Sequence, residues 1–352
     1  MRSVALCVVF ILCGCGRGPE TELQDYLARL TRALDVSAAQ DIALPPLTGR
    51  PGRRELALPE PESSINLLEF LSLSSCELGR VLGQRNSSLG KLAPPSQRLH
   101  THRDILLSAP TCISELRHSD PSLAADLQRA LEQKTSSRMH YWWNAWMTSN
   151  EWLAFSSPAA QALSHGDAGA LTIAAALEAL DYAIRQGLSW SGSPPVYSYD
   201  AGLMEHYQQQ WLVTKALGAW RQSQRLLTQT SIQAASQLDK RLGPRPLCPA
   251  GVKTPQAEIV HTVFAKFYAA QLQPYLSMTD RFGEALLIRL KALSDLTDAP
   301  AVWSVWMSDL KLEKAALRDA HMQHVRKWQA LLRQCGMMPG QDTSQSPTDT
   351  TE

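Results

Sequence analysis

The helical character of this chain is clearest in residues 63–116, SSINLLEFLSLSSCELGRVLGQRNSSLGKLAPPSQRLHTHRDILLSAPTCISEL. Apolar residues recur at helical spacing up to Gly90, a residue type that commonly follows a helix C-terminus. Pro94 and Pro95 then break the chain, and Ser96 can cap a second helix. The stretch therefore predicts two antiparallel helices joined by a short turn.

Four cysteines lie in the body of the chain, at Cys76, Cys112, Cys248 and Cys335. Exported proteins rarely keep free thiols, so four cysteines suggest two disulfides, for which the sequence allows three connectivities. Cys76 lies roughly 16 residues before the predicted turn and Cys112 roughly 20 after it, which places them about one helical turn apart in an antiparallel pair. We favour Cys76–Cys112 and Cys248–Cys335, and each bridge would constrain the unfolded chain by about 4 kcal/mol.

The chain begins MRSVALCVVFILCGCGRG, a pattern typical of a secretory signal, in which Arg2 is followed by an apolar run over residues 4–12. This run is much shorter than the roughly 20 residues of a spanning helix. Residues 12–15 resemble the lipobox of bacterial lipoproteins, which implies cleavage before Cys15 and its acylation with several chains, palmitate among them. Gly16 resembles the sorting residue of outer-membrane lipoproteins. We expect an outer-membrane lipoprotein that faces the periplasm, the alternative being an ordinary cleaved signal.

The charge balance argues against nucleic acid as a partner. Without residues 1–14 the chain carries 33 basic and 33 acidic side chains, and it has no polybasic run. Nucleic-acid binding depends on neutralising phosphates with clustered cations, and the sequence shows no such cluster. We therefore expect the membrane to be contacted through acylated Cys15, because two or more acyl chains give stable anchoring.

Beyond the signal sequence, the patterns predict a first helix with an extended strap, a helical body and a tail. Residues 20–36 predict a first helix, and residues 41–62, with five prolines and two glycines, predict an extended strap. We expect an all-α single domain of antiparallel helices braced by disulfides. Further helices are predicted at 121–155, 168–187, 200–241, 255–296 and 300–335. The expected divisions are a signal peptide (1–14), an anchor with first helix and strap (15–62), a helical body (63–336) and a disordered tail (337–352).

Three segments carry a resemblance to a known family, namely LLEFLSLSSCELGRVLGQRNSSLGKLAPPSQRL (67–99), LLSAPTCISEL (106–116) and WWNAWMTSNEW (142–152). They resemble a family of uncharacterised lipoproteins from Gram-negative bacteria, a domain of unknown function with the same lipobox and an early Asp-Tyr-Leu helix, here at 25–27. The resemblance runs over most of the chain beyond the signal. It supports the acylation of Cys15 and the favoured cysteine pairing, and it implies no catalytic residues.

Two patterns suggest chemistry. Ser88 and Lys91 have the Ser-x-x-Lys spacing of penicillin-recognising acyltransferases, but here the tetrad ends a helix and no Lys-Thr-Gly strand follows, so we favour a structural corner. Di-iron helical bundles use two Glu-x-x-His pairs, and the chain has two such pairs, at 115–118 and 258–261. Both lie near helix ends rather than in a buried middle. We predict no catalytic residue, no metal site and no cofactor.

The aromatic segment YWWNAWMTSNEWLAF (141–155) has two possible roles. Trp142 and Trp146 lie one turn apart and could hold sugar faces, but large aromatics more often fill the middle of a bundle, which we favour. Their N–H groups would then bond to nearby polar residues, namely Asn144, Asn150 and Glu151. His321 and His324 form an i, i+3 pair on a charged helix face that we expect to be solvated.

Two hypotheses of function follow. The favoured one is a non-catalytic binding or structural module of the cell envelope, whose partner is an envelope protein or a glycan. The alternative is a periplasmic hydrolase or metal-dependent enzyme with its site inside the helical body. The first is favoured because no nucleophile, base and orienting group can be assembled from the sequence, although such sets are spatial rather than sequential.

Overall fold

A computed structural model of the protein describes residues 18–38, 44, 46–61, 67–243 and 245–338, and these residues contain helices and no β-strand. A π-helix spans Phe264–Leu272 and a 3-10 turn spans Pro249–Gly251. The predicted all-α fold is confirmed. The α-helices are α1 (Pro19–Leu34), α2 (Arg53–Leu56), α3 (Leu67–Ser72), α4 (Glu77–Asn86), α5 (Ser88–Lys91), α6 (Pro95–Ser119), α7 (Pro121–Ser136), α8 (Arg138–Met147), α9 (Asn150–Phe155), α10 (Gly166–Ser191), α11 (Ala201–Thr214), α12 (Ala216–Asp239), α13 (Pro255–Val263), α14 (Gln273–Asp295) and α15 (Ala301–Gln334).

Several segments predicted as single helices are divided in the structure. The 200–241 segment breaks at Lys215, which adopts a left-handed conformation with φ of 48° between α11 and α12. The 121–155 segment divides into α7, α8 and α9. Ser149 caps α9, because its side chain accepts a hydrogen bond from the backbone N–H of Trp152. The first arm of the 63–116 hairpin, predicted as one helix up to Gly90, consists of α3, α4 and α5. The second arm begins at Pro95, so Ser96 lies inside α6 and is not its cap.

The main core surrounds α12, which is buried on most of its surface. Two ion pairs, Arg221–Glu313 and Lys327–Asp239, join α12 to α15 and show that these two helices run in the same direction. By contrast, α6 runs antiparallel to α4 and to α7, because disulfide Cys76–Cys112 joins the start of α4 to the last turns of α6, and Asp120 connects α6 directly to α7. Between α12 and α15 the chain passes through α13 and α14, and this long connection allows α12 and α15 to run parallel.

All ten tryptophans lie in the main core, and none is more than 2% exposed. The aromatic segment therefore fills the bundle, as favoured, but its N–H groups use other partners than those predicted. Trp142 donates to the Ala183 carbonyl, Trp143 to the Leu56 carbonyl and Trp146 to the Gln186 side chain. The predicted partners Asn150 and Glu151 lie at the start of α9, and Asn144 holds the strap instead.

The strap is extended over residues 46–61 except for the single turn of α2. Leu56 is fully buried and anchors it in the main core. Asn144 forms paired hydrogen bonds with the Leu58 backbone, accepting from the N–H and donating to the carbonyl at 2.8 Å each. The same amide donates to the Glu60 carboxylate at 2.8 Å. The strap is thus fixed against α8, and Glu60 has a defined position.

The structure joins Cys76 to Cys112 and Cys248 to Cys335, which is the connectivity that the sequence favours. The bridges close 36 and 87 residues, worth about 4 and about 5 kcal/mol on the loop-entropy model. The first one braces a second, smaller core between α4, α6 and α7, and the second ties the segment after α12 to the end of α15.

The predicted signal peptide, the acylation residue Cys15 and residues 339–352 of the predicted tail lie outside the described residues. Within the described ranges, no helix combines the length and apolarity needed to cross a membrane.

Candidate functional site: a basic cleft

A cleft of about 1030 Å³ lies between α4, α5, α6, α7 and the end of the strap. One side of the cleft is lined by the segment RNSSLGK (85–91), through Arg85–Asn86 and Gly90–Lys91. Ser87 shapes this side by accepting a hydrogen bond from the Gly90 N–H at 3.0 Å and donating to the Gln84 carbonyl at 2.7 Å. The segment is therefore a structural corner, as favoured, and it also forms a wall of the cleft.

The corner is built differently from the prediction. Gly90 lies inside α5 rather than in the left-handed position after a helix, and α4 already ends at Asn86. A Cβ at Gly90 would come within 2.2 Å of the Gln84 carbonyl oxygen, so the close approach of α5 to α4 requires glycine. Arg85, in the last turn of α4, lines the cleft.

The helix directions divide the cleft into a charged end and an apolar end. On α6, Arg98 and His102 lie toward its start, whereas Ile105 and Ala109 lie one to three turns later on the same face. Since α4 and α7 run antiparallel to α6, their last turns lie beside its first ones. Arg85 of α4 and Lys134 of α7 therefore join the charged end, while the apolar end is formed by Leu78, Leu82, Ile105, Ala109, Leu127 and Ala130.

The cleft is positively charged although the chain as a whole is nearly neutral. Five basic and two acidic side chains line it. Arg129 pairs with Asp126 on the rim, and Glu60 is held by Asn144 and lies 3.4 Å from His102. The other four cations have no ion pair within the described residues, and they are Arg85, Lys91, Arg98 and Lys134.

Four titratable side chains, three of them buried and Glu60 half-buried, form a cluster at the charged end. His102 stacks on Tyr141 with ring centroids 3.7 Å apart, and its Nε2 lies 3.4 Å from the Glu60 carboxylate. Lys134 donates to the Tyr141 hydroxyl at 3.4 Å. Lys134 is 4% exposed and His102 6% exposed, and the His102 Nδ1 atom finds no hydrogen-bond partner in the described part of the chain.

Burial and mutual charge shift the pKa values in this cluster. Burial, assisted by Arg85, lowers the pKa of Lys134 to about 8. Burial would raise the pKa of Glu60, but hydrogen bonds from His102 and Asn144 outweigh it and hold the pKa at about 2. Burial lowers the pKa of His102 and raises that of Tyr141. At neutral pH the charged end therefore contains a carboxylate, a neutral imidazole and a mostly protonated amine, surrounded by guanidinium groups.

Apart from Lys91, which lines the cleft, and Tyr141, the residues singled out in the sequence do not form a site with these groups. Ser88 and Lys91 are exposed at the corner, and Ser88 does not line the cleft. His324 is fully buried against Tyr26, with 2.8 Å between Nε2 and the hydroxyl, so the expectation of a solvated His321 and His324 face is wrong for His324. The cause is the packing of α1 over this part of α15, which the charged neighbours of His324 in the sequence conceal.

Neither Glu-x-x-His pair lies in a buried position. Glu115, His118 and Glu258 are exposed, and His261 is partly exposed near the end of α13. Among the described residues, no group of three or more His, Cys, Asp and Glu side chains is arranged to hold a metal ion.

Sequence reasoning missed Glu60, His102, Tyr141 and Lys134 as a group. They come from the strap, α6, α8 and α7, and no short motif contains two of them. Lys91 lay in the Ser-x-x-Lys pair and Tyr141 in the aromatic segment, but neither pattern indicated an anion site. A signal existed in α6, where Arg98, His102, Ile105 and Ala109 follow helical spacing and mix charged with apolar types on one face.

Together these features define an all-α, disulfide-braced protein with a basic cleft beside its smaller core. The model of the protein family of unknown function DUF3080 matches residues 23–339, and the chain belongs to this family. Comparison with curated proteins and with solved structures finds no match.

Proposed function

We propose that this protein is an acylated lipoprotein of the outer membrane, and that its helical body is a non-catalytic module that binds an anionic component of the cell envelope in the basic cleft. The observation that carries the binding proposal is the set of four cations without ion-pair partners that line one cleft. Lys134 is buried and Arg85 half-buried, and solvent screens such charges less than exposed ones, so they attract an anion more strongly than surface charges do.

The unpartnered Nδ1 of His102 supports a ligand that also carries hydroxyl groups. The neutral ring donates from Nε2 to Glu60, so Nδ1 can only accept, and an orphaned buried acceptor beside a cleft favours a missing hydroxyl or water as its donor. A phosphate or carboxylate oxygen at the charged end would accept hydrogen bonds from Arg85 and Lys134, and charge-assisted bonds of this kind are the stronger ones. A phosphorylated or otherwise acidic glycan has this chemistry.

Binding is tested with a chain that carries Cys15→Ser, which leaves every described residue unchanged. Glucose 1-phosphate and glucose are titrated into it by calorimetry. We expect the phosphate to bind and the neutral sugar not to bind. Arg85→Gln should weaken binding about tenfold or more, since it removes a charge-assisted bond. Arg80→Gln is the matched control, because Arg80 lies on the same helix, pairs with Glu77 and does not line the cleft. Equal losses in both variants would refute the cleft as the site.

The anchor is tested separately by metabolic labelling with palmitate. Acylation predicts that the wild-type chain is labelled and sediments with outer membranes, and that Cys15→Ser abolishes both properties. Labelling that survives Cys15→Ser would contradict the anchor without bearing on the cleft.

A further inference from the structure

The apolar end of the cleft identifies the class of ligand more narrowly. A site built for an inorganic or sugar phosphate needs only the charged end, yet the cleft continues along α6 for about two turns beyond His102, or about 10 Å from His102 to Ala109. Leu78, Ile105, Ala109 and Leu127 belong to the smaller core and also line this space. The ligand space therefore passes from cationic to aliphatic surroundings.

The geometry points to an anionic amphiphile as the occupant: a phosphate or carboxylate group at the charged end and a single alkyl chain along the apolar end. This inference rests on the proposed binding function and adds the apolar part of the ligand. The charges agree with it, since the two ionic residues that border the apolar end, Asp126 and Arg129, pair with each other and leave no net charge there.

Disulfide Cys76–Cys112 gives the apolar end its shape. Cys76 precedes α4 and Cys112 lies in α6, so the bridge fixes the distance between the two helices at this end of the cleft. At the other end, the strap places Glu60 and Pro61 beside the charged groups. Each end is thus bounded by a covalent or hydrogen-bonded constraint, which keeps the space open without a ligand to hold it.

The test is a series of alkyl phosphates, from inorganic phosphate through butyl and hexyl to octyl phosphate, titrated as monomers into the Cys15→Ser chain. Each methylene that enters the apolar end should strengthen binding by up to about fourfold, the factor that corresponds to burying one methylene. Octyl glucoside supplies the chain without the charge and should bind at least about tenfold more weakly than octyl phosphate.

Two variants test where the alkyl chain of the ligand lies. Leu82→Gln should remove most of the gain from hexyl to octyl phosphate, whereas Leu107→Gln should not, because Leu107 is 49% exposed on α6 and lies outside the cleft. Ala130→Leu narrows the apolar end without adding a polar group, so it should also reduce octyl phosphate binding even if Leu82→Gln disturbs folding. Neither cleft variant should change the affinity for inorganic phosphate.

The outcomes separate this inference from the proposed function. If affinity does not change with chain length while glucose 1-phosphate still binds, the amphiphile is refuted and the anion site stands. If octyl glucoside binds as well as octyl phosphate, the contact is a general apolar one and the inference is wrong. If no phosphate binds at all, both proposals fail.

Discussion

Asn144→Leu should release the strap while leaving the helices folded. The Asn144 amide makes two hydrogen bonds with the Leu58 backbone and one with Glu60, all at 2.8 Å. Two neutral bonds at about 1 kcal/mol each and one to a carboxylate at about 1.5–3 kcal/mol total roughly 3.5–5 kcal/mol. This is an upper estimate, because water can replace part of it once the strap opens. A loss of 3.5 kcal/mol corresponds to a roughly several-hundredfold rise in the open population.

The assay is hydrogen–deuterium exchange of residues 46–61, read at the peptide level against peptides from α12. We expect faster exchange across the strap in Asn144→Leu and unchanged exchange in α12. The matched control is Gln128→Leu, since the Gln128 side chain donates to Glu132 on its own helix α7 and makes no bond with the strap. Strap protection in Asn144→Leu that equals the wild type would refute the contribution of Asn144 to holding the strap.

Three further results are expected. Competitive acetylation across a pH series should give Lys134 a midpoint near pH 8, well below the usual lysine value, because burial and then Arg85 lower its pKa. Glu313→Gln should lower the free energy of unfolding in urea by about 3–5 kcal/mol, because it leaves the fully buried Arg221 guanidinium without its carboxylate, whereas Glu284→Gln on an exposed pair should cost about 1 kcal/mol or less. Burial lowers the pKa of His324 to about 3, so the unfolded chain binds a proton below about pH 6.5 that the folded chain excludes. Stability should therefore fall from pH 6.5 toward pH 3, and a His324→Phe chain should fall less steeply, by up to about 1.4 kcal/mol per pH unit.

Each of these three predictions would be contradicted by one specific outcome. A Lys134 midpoint near that of surface lysines would mean that the Lys134 amine is not buried at the charged end. Equal effects of Glu313→Gln and Glu284→Gln would mean that the Arg221 pair is solvated. Parallel stability profiles for the wild type and His324→Phe would mean that His324 protonates freely in the folded chain.

The antiparallel pairing of the hairpin's two arms and the extended strap were predictable because local chemistry specifies them, whereas the division of the first arm into α3, α4 and α5 was not. Proline pairs and apolar spacing define where helices start and stop, and the positions of Cys76 and Cys112 around one turn favour their pairing. The breaks inside longer segments were not predictable. Lys215 interrupts 200–241 in a left-handed conformation although it is neither glycine nor proline, and Gly218, the nearby glycine, lies inside α12.

The central helix shows why burial could not be derived from pattern alone. The sequence of α12 is rich in Gln, Ser, Thr and Arg, which is typical of a solvated helix, yet Arg221, Gln224 and Gln237 are almost completely buried. Partners from distant parts of the chain satisfy some of these groups, such as Glu313 and Thr48 for Arg221. Such pairing depends on tertiary contacts that no local window contains.

The cleft depends on register in the same way. His102 and Lys134 face each other only because α6 and α7 meet with a particular offset, and Glu60 joins them only because Asn144 fixes the strap. A shift of one residue in a helix turns a side chain by about 100°, so a sequence pattern can suggest the helices without bringing these groups together.

The most direct test of the central proposal is a photo-crosslink in living cells of the native host. A photoreactive amino acid replaces Thr101, which lines the cleft, and in a parallel strain replaces Leu171, which is 72% exposed on α10. We expect an anionic amphiphile or acidic glycan to be attached at position 101, absent at position 171 and lost with Arg85→Gln. Position 101 attached to nothing, or to the same species as position 171, would contradict the proposal.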